Sequence, residues 1–168
     1  ITRCPMPRKN YFELLNQPQT FAVDSLSLQK AKTLLLARLH PDRFVNAGPV
    51  EKRLAEQMSV QVNEAYQTLS DDVKRAIYLC ELNGINPLAE RAMAAEFLEK
   101  QMTWHAILDD EDLGDGARAG LIEEICREKD DIMHRLAKAL DVDHDTQAAA
   151  AATRELMFVN KLLTQIPH

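Results

Sequence analysis

Apolar residues along this chain recur at steps of three and four and show no sustained alternation, a spacing that predicts helices and no strand. Leu28, Ala31, Leu35 and Leu39 follow steps of 3, 4 and 4, and Ala55, Met58, Val62, Ala65 and Leu69 follow steps of 3, 4, 3 and 4. The first seam begins after Asp24 or Ser25, either of which can cap a helix. It must stop at His40, because Pro41 forces the residue before it toward extended backbone. The second seam predicts a helix over about Val50 to Leu69, and two such seams pack as an antiparallel hairpin. Between them the loop from Pro41 to Pro49 holds the breakers Asn46, Gly48 and Pro49. A short apolar helix over Asn10 to Asn16, with Tyr11, Phe12, Leu14 and Leu15, precedes the hairpin. A further helix over Asp72 to Asn83 follows it, ending at Gly84 with Pro87 beyond.

The second half reads as three helices, at about Glu90 to Asp110, Arg118 to Leu140 and Thr146 to Gln165. Their short links, Asp109 to Gly116 and Asp141 to Asp145, imply antiparallel neighbours. In the first of the three, Met93, Phe97, Trp104 and Leu108 form one stripe, a natural core face. Leu98 and Met102 fall well away from it, beside Glu99, Ala106 and Asp110, and this second stripe is more than a three-helix unit needs for packing. In the last helix Ala152, Leu156, Val159, Leu163 and Ile166 make the core seam, and Phe158 points nearly opposite, which predicts an exposed aromatic. The fold class is all-α, in two units. The expected divisions are a leader over 1–9, an N-terminal unit over 10–78, a linker and short helix end over 79–89, and a C-terminal unit over 90–168.

Composition narrows the function classes. With 46% hydrophobic residues and only 5 Gly and 7 Pro in 168, the chain suits a folded helical protein. The net charge of −6 is uneven: residues 1 to 86 hold 11 Lys or Arg against 9 Asp or Glu, a balance of +2, and residues 87 to 168 hold 9 against 17, a balance of −8. An acidic total without a basic, aromatic-bearing stripe disfavours nucleic-acid binding. No apolar run approaches the ~18 residues of a membrane span, so no membrane partner is expected. Arg3, Arg8 and Lys9 stand without an apolar h-region, so the first residues do not read as a secretory signal, and Ile1 suggests a processed or trimmed start.

Cys4, Cys80 and Cys126 lie far apart, which argues against a disulfide framework or a cysteine-built metal site and fits a reducing compartment. No two of the five histidines stand three or four residues apart, and the acidic run from Asp109 to Asp115 lacks the register of a calcium loop. No metal or cofactor is expected. The chain also lacks a Gly-rich phosphate loop and a G-x-S-x-G elbow, so an enzyme is not expected; the rival reading uses His40 and Asp42 as acid and base on a substrate.

The chemistry concentrates in His40, Pro41 and Asp42, followed by Arg43 and Phe44, between two amphipathic helices. Pro41 fixes its own φ and pushes His40 out of the helix, so an imidazole and a carboxylate are preset with little ordering entropy left to lose. Such rigid display favours recognition, and Asp42 beside a partner arginine would make a charge-assisted contact.

This segment, with Tyr11, Phe12, Glu13 and Leu14 ahead of it and Asn63, Glu64, Ala65, Tyr66, Gln67, Thr68 and Leu69 after it, resembles the J-domain over about residues 10 to 78. The resemblance implies an N-terminal J-domain helical hairpin that engages a DnaK-type chaperone and promotes its ATP hydrolysis. The contact would come from His40, Pro41, Asp42 and Arg43, with Lys30 and Arg38 on the helix before them. Many J-domains carry basic residues where this chain has Thr33 and Leu34, so its positive face is thin and suits a dedicated chaperone. The whole chain after residue 10 resembles the HscB family, which implies a C-terminal antiparallel three-helix bundle binding the iron-sulfur cluster scaffold IscU. By that likeness Leu98, Glu99, Met102, Thr103, Ala106, Asp110 and Phe158 line the scaffold site. Better-known members tend to be more acidic at the positions of Thr103 and Ala106 and apolar at that of Glu99. The implied partners are an HscA-like chaperone ATPase and an IscU-like scaffold, the alternative being an adaptor for a different client. The expected state is a monomer in the bacterial cytoplasm, with the mitochondrial matrix as the alternative location.

Overall fold

The computed structural model describes residues 9 to 166, and among them every regular element is helical. The leader expected over 1–9 therefore lies, apart from Lys9, outside the described residues. In chain order the elements are α1 (Tyr11–Leu14), α2 (Ser25–Arg38), a 3₁₀ turn (Pro41–Phe44), α3 (Pro49–Ser70), α4 (Asp72–Leu82), α5 (Ala95–Leu108), α6 (Asp115–Ala137), a π-helical segment (Lys138–Val142) and α7 (Thr146–Gln165). They form two compact units that divide between Arg75 and Ala76, inside α4.

In the first unit α2 begins where its cap dictates. The Asp24 carboxylate accepts from the backbone N–H groups of Leu26 and Ser27, at 3.0 and 3.4 Å. Asp24→Ala leaves those two donors to water and is expected to cost about 1 kcal/mol, readable as a lower urea midpoint. At the start of α3, Glu51 reaches back to accept from the Gly48 N–H at 2.6 Å. Phe12, Leu15, Phe21, Leu28, Ala55, Val62, Ala65 and Leu69 are buried and make the core. The α2 seam is otherwise half-buried at Ala31, Leu35 and Leu39. Met58, expected in the seam of α3, is 38% exposed. It borders an open groove with Lys9, Tyr11, Leu14, Gln61 and Glu64, because α1 has only one turn with which to cover that flank.

In the second unit α6 and α7 pack along their length, and α5 is joined to them through Phe97, Lys100 and Trp104. Phe97, Trp104, Leu121, Ile125, Ile132, Leu136, Leu156, Val159, Leu162 and Ile166 are buried. The end of α4 is closed by Gly84 at φ +80, with Gly84 N–H donating to Glu81 O and Ile85 N–H to Cys80 O, both at 3.0 Å. The helix expected from Glu90 starts only at Ala95. Arg154 of α7 donates to the carbonyls of Ala92 and Pro87, at 3.1 and 3.2 Å, and this holds the preceding stretch out of helical geometry. At the end of α7 the burial moves to Leu162, and Leu163 is half-buried.

Two polar features run through this core. The buried Glu155 carboxylate sits 2.8 Å from Arg135 Nη1, and Arg135 Nε also donates to Asp131 at 3.0 Å. Burial works against the guanidinium's charge, but the carboxylates of Glu155 and Asp131 more than offset it, and its pKa is raised. Burial pushes the Cys80 thiol up despite its contact with the Thr153 hydroxyl at 3.7 Å, so it stays a protonated core group.

Candidate functional site

The turn between α2 and α3 is built as its residue types require. Leu39 N–H closes α2 on Leu35 O at 3.1 Å, and His40 leaves the helix at φ −58 and ψ 136, ahead of Pro41. Pro41 then opens the 3₁₀ turn, with Arg43 N–H donating to His40 O at 3.0 Å. The expected loop is thus ordered by a turn of its own, which the proline opens.

Within it His40 Nδ1 accepts from the Asp42 N–H at 3.2 Å and lies 3.5 Å from Asp42 Oδ2. The side chains are 59% and 89% exposed, so neither turns into the core. This arrangement sets an imidazole and a carboxylate side by side at the tip of a hairpin. It suits recognition of another macromolecule, because so exposed a pair has no enclosure in which to hold a reacting substrate.

Arg43, Arg38 and Lys30 are all exposed. Lys30 and Arg38 are two turns apart, roughly 12 Å along the axis, with Leu34 midway and 60% exposed. Lys32 is differently employed: its ammonium lies 4.3 Å from the centre of the Tyr66 ring and braces α2 on α3.

The second cluster lies on α5. Leu98 is 45% and Met102 73% exposed, on the side away from the buried Phe97 and Trp104. Trp104 donates to Glu124 at 3.1 Å and Lys100 pairs with Glu128 at 2.8 Å, so α5 is held on α6 with that stripe outward. Glu99, Thr103 and Ala106 are exposed, although the Thr103 hydroxyl is spent on Glu99 O at 3.0 Å. Asp110 lies past the helix end and accepts from Asp112 N–H. Among the described residues no group of His, Cys, Asp or Glu is placed to hold a metal ion.

Phe158 does not stand free as its periodicity suggests. It is half-buried, edge-on to Phe97 at 5.9 Å and to His105 at 5.8 Å. The correction has a packing cause: α5 crosses that side of α7 and supplies both rings. His105 is the residue that sequence reading passes over, though it follows Met102 by three and Leu98 by seven and so continues their row on α5.

Comparison with known proteins agrees with both halves. A family model described as the DnaJ domain matches residues 10–78, and one described as the HSCB C-terminal oligomerisation domain matches 93–167. The chain is 40% identical to a co-chaperone protein HscB homolog of Bordetella avium, over 96% of this chain and 97% of that one. It is 38% identical to the homolog of Burkholderia multivorans, over 95% and 93%. Among solved structures it is similar to the chaperone HscB from Vibrio cholerae, with TM-score 0.79 and 31% identity over 94% of each chain. It is also similar to human co-chaperone protein HscB, with TM-score 0.84 and 25% identity over 96% and 82%. No helix among the described residues is long and apolar enough to cross a membrane. With an N-terminal J-domain and the C-terminal domain of the same relatives matched in order, the chain belongs to the HscB co-chaperone family.

Proposed function

We propose that this chain activates the ATPase of a DnaK-type, HscA-like chaperone in the bacterial cytoplasm and delivers an IscU-like iron-sulfur scaffold to it. The observation that carries the reading is the His40, Pro41, Asp42 turn, its two side chains preset and exposed at the end of paired helices. Asp42 offers a carboxylate to an arginine of the ATPase, and Arg43, Arg38 and Lys30 supply the positive contribution. The scaffold rests on Leu98 and Met102, with Glu99, Thr103, Ala106, Asp110 and the half-buried Phe158 around them.

Joining the two contacts in one chain raises the local concentration of the client at the chaperone to roughly millimolar. Coupling is reciprocal in its binding part: a client that favours the chaperone's closed state is itself held tighter there.

The reading is tested by chaperone ATP turnover with native chain and with His40→Gln. The variant is expected to leave turnover at the unstimulated rate, since Gln lacks the ring that accepts from Asp42 N–H and orders the turn. Equal stimulation by both proteins would end the proposal. A different client is the second reading, favoured by Thr103 and Ala106, which bring no charge to a site that better-known relatives make acidic. Absence of binding between the native chain and an IscU-like scaffold in a calorimetric titration would support it.

A further inference from the structure

Glu90, Arg91, Ala92, Met93 and Ala94 are all good helix formers and stand directly ahead of α5, yet none of them is helical. The start of α5 does not itself account for the stop: its N-cap is Ala94, which makes no side-chain cap, and alanine is a poor residue at that place. The cause lies on another helix. In a continued helix the Ala92 carbonyl would accept from the Glu96 N–H, four residues on. Here Arg154 Nε takes that carbonyl at 3.1 Å, and Arg154 Nη1 holds the Pro87 carbonyl at 3.2 Å. A further contact fits only the folded-back chain: Gln101 Nε2 lies 3.2 Å from Met93 Sδ. Positions eight apart in one helix are roughly 12 Å apart along its axis. Arg154 precedes Phe158 by four on α7, so the clasp and the ring that meets Phe97 share one face.

We propose that Arg154 is a positioning residue for the client-binding face: by withholding the Ala92 carbonyl it makes α5 begin at Ala95 and keeps the N-terminal end of the Leu98 and Met102 row clear. A continued helix would project roughly 7 Å past Ala95. It would also bring Arg91 and Ala94 to within about 40° of Leu98 around the axis, in the same row. A scaffold seated on Leu98 and Met102 would then meet a cation and an added helical turn at the edge of its seat. The inference rests on the proposed delivery of an IscU-like scaffold. It adds that α7 bounds the seat through one guanidinium that does not touch the client.

Arg154→Met keeps a straight side chain on α7 and removes both donors. Residues 90 to 94 are then expected to join α5, read by NMR as helical Cα shifts, and scaffold binding in a calorimetric titration is expected to weaken about tenfold. Adding Ala94→Pro is expected to return the segment to extended geometry and the affinity to within about twofold of native. Ala94 already has φ −58 and ψ 140, which proline takes up without strain, and a proline there bars the helix from continuing. Packing lost around Arg154 would not be repaired by a proline at the start of α5, so the rescue separates positioning from a merely structural role. If Arg154→Met leaves 90 to 94 extended, binds the scaffold like native protein or is not rescued by Ala94→Pro, the positioning role is overturned and delivery of the scaffold stands. If the native chain itself binds no scaffold, the delivery reading falls and takes this inference with it.

Discussion

A chain carrying Leu98→Ala and Met102→Ala is expected to bind an IscU-like scaffold about a hundredfold more weakly than native protein, with its thermal midpoint essentially unchanged. The two side chains are 45% and 73% exposed, so removing them opens no cavity, and alanine favours the helix. Their apolar surface faces water in the free protein and would be covered by a bound scaffold. Two truncations at the centre of such a contact, each costing about 1 to 2 kcal/mol, multiply to that factor. Phe158 is best left in place for this test, because its ring is wedged against Phe97 and His105 and Phe158→Ala would loosen the bundle as well as the site. Calorimetric titration against the scaffold reads the result, and unchanged affinity would remove α5 from the client contact.

Arg75→Ala is expected to destabilise the first unit by about 3 to 5 kcal/mol. The guanidinium is buried, and it donates through Nε to Phe21 O at 2.7 Å, through Nη1 to Leu69 O at 2.8 Å and through Nη2 to Asp72 Oδ1 at 3.0 Å. It also stacks 4.6 Å from the Phe21 ring centre. Phe21 stands just ahead of α2 and Leu69 is in the last turn of α3, so one side chain ties the two ends of the hairpin remote from the His40 turn. Alanine would strand two carbonyls and leave a void under Phe21. Hydrogen exchange of the α2 and α3 amides isolates this unit from the second one. Arg75→Lys should recover only part of the loss, since an ammonium cannot meet three acceptors in the plane that the fork meets. A change under about 1 kcal/mol in the alanine variant would refute the argument.

Individual residues show why some features were legible and others were not. Asp24, Pro41 and Gly84 each act through their own backbone or a neighbour within four residues, so the helix ends they mark are readable from local chemistry. The 3₁₀ turn at Pro41 and the π-helical segment at Lys138–Val142 carry no such mark, because ordinary residues take up those geometries when surrounding packing demands it. Leu98 and Met102 are exposed because two stripes on one helix cannot both face one core. Phe158 and Met58 were misplaced by the same periodicity, which gives the direction of a side chain but not what stands in that direction: α5 covers Phe158, and the one-turn α1 leaves Met58 partly bare. Glu155 is buried, although glutamates mostly stand exposed, because Arg135 on the facing helix meets it at 2.8 Å.

By itself the sequence determined that the chain is helical, that a proline-stiffened turn carrying His40 and Asp42 joins two long helices, and that a three-helix unit with a surplus apolar stripe follows. These follow from interactions a few residues long, which any conformer of the chain carries. Only the tertiary structure decided which rings shelter Phe158, that His105 joins the Leu98 and Met102 row and that Arg75 closes the far end of the hairpin. Burial of a side chain is set by what another helix, distant along the chain, brings against it, and no local spacing encodes that.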